Sequence, residues 1–209
     1  ISLFPIMSAS FKSSREKLIK TYRLGIKYIL IIMLPIAMGT TLLADKIIFW
    51  IYGMEFSGSV TALQILIWAL VFTSINPILT RLLTSIGEQK LNTVSHTLCA
   101  IVNVTLNLIL IPTLNYNGAA IATVITNIIF SMLSFYFISK HMRIHPPYRI
   151  FMRLIISILF IAIFIYFISH ILNILLTISL TIGTYLITLM VLKVLNGEDI
   201  SLFRKILRM

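Results

Sequence analysis

The chain has 209 residues, of which 59% are hydrophobic and 11% charged, and its mean hydropathy is +1.03. A soluble domain carries about 45–50% apolar and about 25% charged residues, so these values exclude water as the main solvent of the fold. A net charge of +11 would suit a nucleic-acid binder if the basic residues formed one patch; their spacing along the chain gives a different reading and removes nucleic acid as a partner.

Ile1 to Phe11 reads as the last turns of an apolar segment that begins upstream. Ser8 to Arg23 is basic, with Leu18, Ile19 and Tyr22 on one helical face, a pattern for a helix lying at the membrane surface or for a simple connector. Six apolar runs follow, each near the ~20 residues that cross a ~30 Å hydrocarbon layer. They are Leu24 to Leu43, Val60 to Leu83, Leu91 to Ile111, Gly118 to Ser139, Ile150 to Ser169 and Ile171 to Leu192.

The first run contains Pro35 and Gly39, which weaken the backbone ladder and make them candidate hinge residues. Asp45 to Gly58 holds Trp50, Tyr52 and Phe56 with two glycines, the composition of an interfacial aromatic belt and turn. In the second run Thr73, Asn76, Thr80 and Thr84 share one face, Pro77 is a third candidate hinge, and Gly87 with Glu88 ends the helix. The third run places His96, Ala100, Asn103 and Asn107 on one face, and Pro112 is expected to end it.

Thr113 to Asn117 carries no charge, so the third and fourth runs are expected to form a tight hairpin. Gly118 with Ala122, and Ala119 with Thr123, have the small-xxx-small spacing that lets helices approach closely, and Asn127 and Ser131 continue the second face. Asparagine is costly in hydrocarbon, so these polar stripes face one another or a wet cavity. The fifth run is almost uniformly Ile, Leu and Phe around Ser157. In the sixth, Thr177, Thr181, Thr184 and Thr188 share a face, and such hydroxyls can bond the preceding turn of their own helix. Gly197 to Met209 alternates apolar and basic residues like an interfacial helix.

Sixteen of the seventeen basic residues lie before the first run, in alternate connections or after the last, counting Lys27, Arg81 and Arg153 at the run ends that adjoin them; Lys46 is the exception. The positive-inside rule then places both ends in the cytoplasm and makes the chain a multi-pass protein of the cell membrane. The lone Cys99 offers no disulfide framework. His141 and His145 stand four apart without a further ligand, so no metal is expected. No phosphate-cradling Gly-rich loop, no nucleophile motif and no carboxylate pair is present, and the chain is not read as an enzyme or as holding a cofactor. None of the six acidic residues lies in the middle of a run.

Arg81 stands six residues, about 9 Å of helix, before Gly87. It either snorkels to headgroups or faces a cavity, where its forked guanidinium suits phosphate or diphosphate. The residue types point to a candidate substrate-binding set of Arg81, Asn76, Thr80, Asn103, Asn107, Thr123 and Asn127, with interhelical hydrogen bonding as the alternative role for the asparagines.

Leu3-Phe4-Pro5 with Ser8, then Pro35, then Ile51-Tyr52-Gly53-Met54-Glu55-Phe56, then Leu110-Ile111-Pro112 leading to Asn117-Gly118-Ala119-Ala120-Ile121-Ala122-Thr123 resemble polysaccharide biosynthesis flippases. These belong to the multidrug/oligosaccharidyl-lipid/polysaccharide superfamily, with lipid II flippases and MATE drug exporters. The resemblance implies an all-α membrane fold of two six-helix lobes around a cavity, alternating access, and transfer of a polyprenyl-diphosphate-linked glycan to the outer leaflet. It makes residues 1–139 part of the second lobe, 140–195 two additional helices and 196–209 a cytoplasmic interfacial tail. Lipid-linked glycan and membrane lipid are the implied partners, with sodium ions, protons or the membrane potential as driving force. A MATE-like cation-coupled exporter of small molecules is the second reading.

Overall fold

The computed structural model describes residues 15–142, 148–169 and 171–194. Six helices in it are long and apolar enough to cross a membrane: α1 (Arg15–Ile51), α2 (Ser59–Ser85), α3 (Gln89–Leu114), α4 (Tyr116–Met142), α5 (Tyr148–Ile168) and α6 (Ile174–Val191). No strand occurs among the described residues. The chain divides into two compact units, residues 1–146 and 147–209.

In the first unit the basic stretch from Arg15 to Arg23 is not a separate connector but the opening of α1, a single helix of 37 residues. Leu18 and Tyr22, the apolar stripe of this stretch, are 0% and 1% exposed. Ser8 to Ser14 lie outside the described residues, as do the apolar start at Ile1, His145 and the tail from Gly197. At 1.5 Å per residue α1 is about 55 Å long, well beyond the hydrocarbon layer, and it remains helical through Pro35 and Gly39. Trp50, at the end of α1, and Tyr52 and Phe56, in the Tyr52–Gly58 connection, are all exposed.

Gly87, at φ +85, closes α2 by letting the Glu88 N–H reach the Leu83 carbonyl at 3.0 Å. Pro112 does not end α3. That helix continues to Leu114, because a proline so near the terminus removes only its own hydrogen bond and leaves the last turn intact. Asn115, at φ 50, is then the single residue between α3 and α4. The hairpin is tight for a visible reason: a Cβ built on Gly118 would overlap the Leu110 carbonyl and meet the Ile111 nitrogen at 2.9 Å. Gly118 and Ala122 are both buried, as helix-packing positions should be.

Packing follows the order α1, α2, α4, α3: α2 lies against α1 on one side and α4 on the other, and α3 lies against α4. Gln64 Nε2 of α2 donates to the Thr41 carbonyl of α1 at 3.1 Å. Two polar ties join three connections at the basic end of the unit. Arg15 Nη2 donates to the Met142 carbonyl at 2.8 Å, satisfying a terminal acceptor of α4, and His141 Nε2 stands 3.4 Å from Glu88 Oε1.

The second unit is a hairpin of α5 and α6. Leu154, Ser157, Ile158, Ile161 and Ile165 form the buried stripe of α5, while Ile156, Leu159, Phe160, Ile163 and Phe167 point away from it. The threonines of α6 spend their hydroxyls within the helix: Thr181 and Thr188 donate to the Thr177 and Thr184 carbonyls at 2.7 Å each.

Candidate functional site

α2 and α3 are joined directly only near the basic end of the unit, where the buried Asn92 Nδ2 donates to the Thr80 carbonyl at 2.9 Å and to Thr84 Oγ1 at 3.0 Å. Beyond that point α4 separates them, and the two helices become the sides of a cleft with α4 as its back wall. The cleft has a volume of about 640 Å³. α2 contributes Thr73, Asn76, Pro77, Thr80 and Arg81; α3 contributes His96, Cys99, Ala100 and Asn103; α4 contributes Thr126, Asn127 and Phe130.

Helical periodicity explains this set. Thr73, Asn76 and Thr80 recur at the three- and four-residue spacing that keeps side chains on one face, as do His96, Ala100 and Asn103. Both stripes therefore turn toward α4. Of the seven sequence-derived candidates, Arg81, Asn76, Thr80, Asn103 and Asn127 line the cleft. Asn107 and Thr123 do not. Asn107 Nδ2 donates to the Asn103 carbonyl and Oδ1, both at 2.9 Å, and Thr123 Oγ1 donates to the Ala119 carbonyl at 2.8 Å. Pro77, read as a hinge, also lines the cleft within a continuous α2.

The asparagines hold the helices together. Asn76 Nδ2 donates to Asn127 Oδ1 at 3.1 Å, and Ser131 Oγ lies 2.6 Å from Asn76 Oδ1, joining α2 to α4. Thr73 Oγ1 approaches Asn127 Oδ1 at 3.2 Å while its shorter bond, 2.7 Å, goes to the Ala69 carbonyl. Asn103 Nδ2 donates to Thr126 Oγ1 at 3.1 Å and joins α3 to α4. A half-wet cleft in a bilayer would leave any unmatched amide costly, and this mutual pairing removes the cost.

Three polar side chains of the lining have no hydrogen bond to any described residue: the Thr80 hydroxyl, the Arg81 guanidinium and the His96 imidazole. Arg81 also lacks an ion-pair partner among the described residues and is half-buried. His96 is held by an aromatic contact instead, its ring centroid 4.4 Å from that of Phe130. Sequence reasoning placed His96 on the right face without selecting it, and missed Thr126 and Phe130; the signal for Thr126 was its place one residue before Asn127 on a helix whose other polar groups already faced inward.

The sequence profile of the family described as lipid II flippase MurJ matches residues 1–193. Among curated proteins, the lipid II flippase MurJ of Bacillus subtilis (strain 168) is 27% identical over 146 residues, covering 68% of this chain and 27% of that protein. An uncharacterized membrane protein of Methanocaldococcus jannaschii is 28% identical over 142 residues, covering 66% of this chain and 27% of that protein. The chain therefore spans about a quarter of the length of these relatives. A solved structure of the lipid II flippase MurJ in an inward closed conformation superposes with a TM-score of 0.78 at 20% identity, over 90% of this chain and 42% of that one. That likeness is one of fold.

Proposed function

Because the chain belongs to the lipid II flippase MurJ family, we propose that it forms part of a transporter that moves a polyprenyl-diphosphate-linked saccharide from the inner to the outer leaflet by alternating access. The sequence resemblance holds at the level of the superfamily, and the family is corrected from polysaccharide biosynthesis flippases to MurJ. Lipid II, the substrate in the printed name of the Bacillus subtilis relative, becomes the leading substrate in place of a surface-polysaccharide precursor.

The observation that carries the reading is Arg81. A guanidinium without a partner among the described residues, on the lining of a cleft inside a membrane-spanning unit, is costly unless an anion meets it. Its planar fork matches the oxygens of a phosphate or diphosphate. The paired amides above it leave a polar wall that saccharide hydroxyls can join without breaking an apolar surface, and the lipid tail stays outside the unit. The first unit, with α1 to α4, then serves as part of the second lobe, and α5 and α6 are two additional helices.

Rocking of this unit about Pro35, Gly39 and Pro77 would switch the opening of the cleft between leaflets. A cation-coupled exporter is the second reading, and no observation on the described residues favours it. The positive-inside pattern supports a cytoplasmic location for Arg15, Glu88 and Met142.

Complementation tests the reading. The full-length gene, expressed in cells depleted of their own lipid II flippase, is expected to restore growth and cell-wall synthesis. Failure to restore either, with the protein present in the membrane, rejects it.

A further inference from the structure

At the basic end of the first unit the last turn of α4 meets the α2–α3 connection, where His141 Nε2 stands 3.4 Å from Glu88 Oε1. The other ring nitrogen, Nδ1, lies 2.8 Å from the Phe137 carbonyl oxygen of the preceding turn. A carbonyl oxygen only accepts, so Nδ1 carries its hydrogen in either protonation state. That fixes the tautomer. A neutral ring turns the lone pair of Nε2 toward the carboxylate, whereas the doubly protonated ring offers it an N–H and a positive charge.

We propose that this pair is a proton-operated tie. The imidazolium holds the α2–α3 connection to the end of α4, and loss of one proton releases it, so that the first turn of α3 parts from α4 and the basic end of the cleft opens. The opening rests on the flippase reading; the proton dependence does not. Both charges are needed, so the tie is made between the ordinary carboxylate and imidazole titration ranges and is lost as pH rises through the second.

The fold gives the release something to move. Only residues 86–88 separate α2 from α3, and Gly87, at φ +85, has no atom within 4 Å of the place a Cβ would take. Glu88 is the N-cap residue of α3 but makes no side-chain cap bond, which leaves its carboxylate to His141. The Asn92 bonds to Thr80 and Thr84 keep the start of α3 on α2, so release parts α3 from α4 and not from α2. The His141 and Glu88 side chains are 36% and 37% exposed, and an ion pair this open is weak and reversible, suited to switching more than to support. Charged side chains stand toward this end on every helix of the unit: Arg15, Glu16 and Lys20 on α1, Arg81 on α2, Lys90 on α3 and Lys140 on α4. Arg15 is engaged by the Met142 carbonyl at 2.8 Å. Arg143 and His145 lie outside the described residues.

A spin label on Gln89→Cys, exposed at the start of α3, reads the tie in the full-length protein, otherwise free of cysteines and held in lipid nanodiscs. Its mobile fraction should rise about two- to fivefold between about pH 5.5 and about pH 8, the range that an exposed ion pair can shift. Glu88→Gln donates to the neutral ring and accepts from the charged one, so it should keep the label restrained at both pH values. His141→Leu should leave it mobile at both. No rise in the wild type, or an unchanged rise in either variant, overturns the tie. Glu88→Cys with His141→Cys tests the opening: the oxidised pair should block movement of a fluorescent lipid II analogue across a vesicle membrane, and reduction should restore it. Equal transport by the oxidised and reduced forms overturns the opening. The label needs no substrate, so a wild type that moves no lipid II removes the flippase reading and the opening with it, while a label that responds as expected keeps the tie.

Discussion

Asn76 and Asn127 meet across α2 and α4, the amide nitrogen of the first donating to the amide oxygen of the second at 3.1 Å. Each stands near the middle of its helix, where hydrocarbon offers no partner, so the pair locks the register of the two helices. A double-mutant cycle of Asn76→Ala and Asn127→Ala is expected to give a coupling of about 0.6 kcal/mol, and no more than about 1.7 kcal/mol, the range of such bonds in membranes. Denaturation of the full-length protein in mixed micelles measures it. Additive effects would mean that the contact does not stabilise the unit.

Two glycines should respond in opposite ways to the same change. Gly118→Ala forces a methyl against the Leu110 backbone, which cannot rotate away, and is expected to cost about 1–3 kcal/mol. Gly183→Ala enters open space on α6 and replaces a poor helix former, so it should be neutral or stabilise by up to about 1 kcal/mol. Thermal melting in detergent compares them. Equal effects would remove the argument that α3 and α4 touch through their backbones.

Much of this fold is legible in the sequence because a bilayer permits few solutions. An apolar run of span length must be a helix, and alternating basic connections set its direction. The errors fall where burial by neighbours overrides local pattern. Leu18 and Tyr22 form an apolar stripe that suits a headgroup surface as well as a helix core, and only the presence of packed neighbours decides between them. Pro112 follows the same logic, since its effect depends on how many residues of helix come after it. The cleft was half legible: spacing put Asn76, Asn103 and Asn127 on inward faces, yet Asn107 shares the face of Asn103 and is consumed by it. That Thr80, Arg81 and His96 are the side chains left over is a property of pairing between helices, which no single-helix pattern contains.

The orientation has its own check. With Cys99 replaced by Ala, Ser57→Cys on the α1–α2 connection should react with an impermeant maleimide in intact cells. Lys90→Cys, exposed at the start of α3, should react only after permeabilisation. The reverse pattern would invert the topology that the basic residues predict.

The central claim is that Arg81 lies on the path of a lipid-linked substrate. The most direct measurement is the leaflet distribution of the lipid-linked cell-wall precursor in cells depleted of their own flippase and expressing the full-length protein. The wild type should move the precursor to the outer face, and Arg81→Gln at equal membrane abundance should move it about tenfold more slowly, the loss expected when a charge-assisted contact worth about 1.4 kcal/mol is removed. Precursor reaching the outer face equally well in Arg81→Gln cells, or remaining inside with the wild type, would contradict the claim.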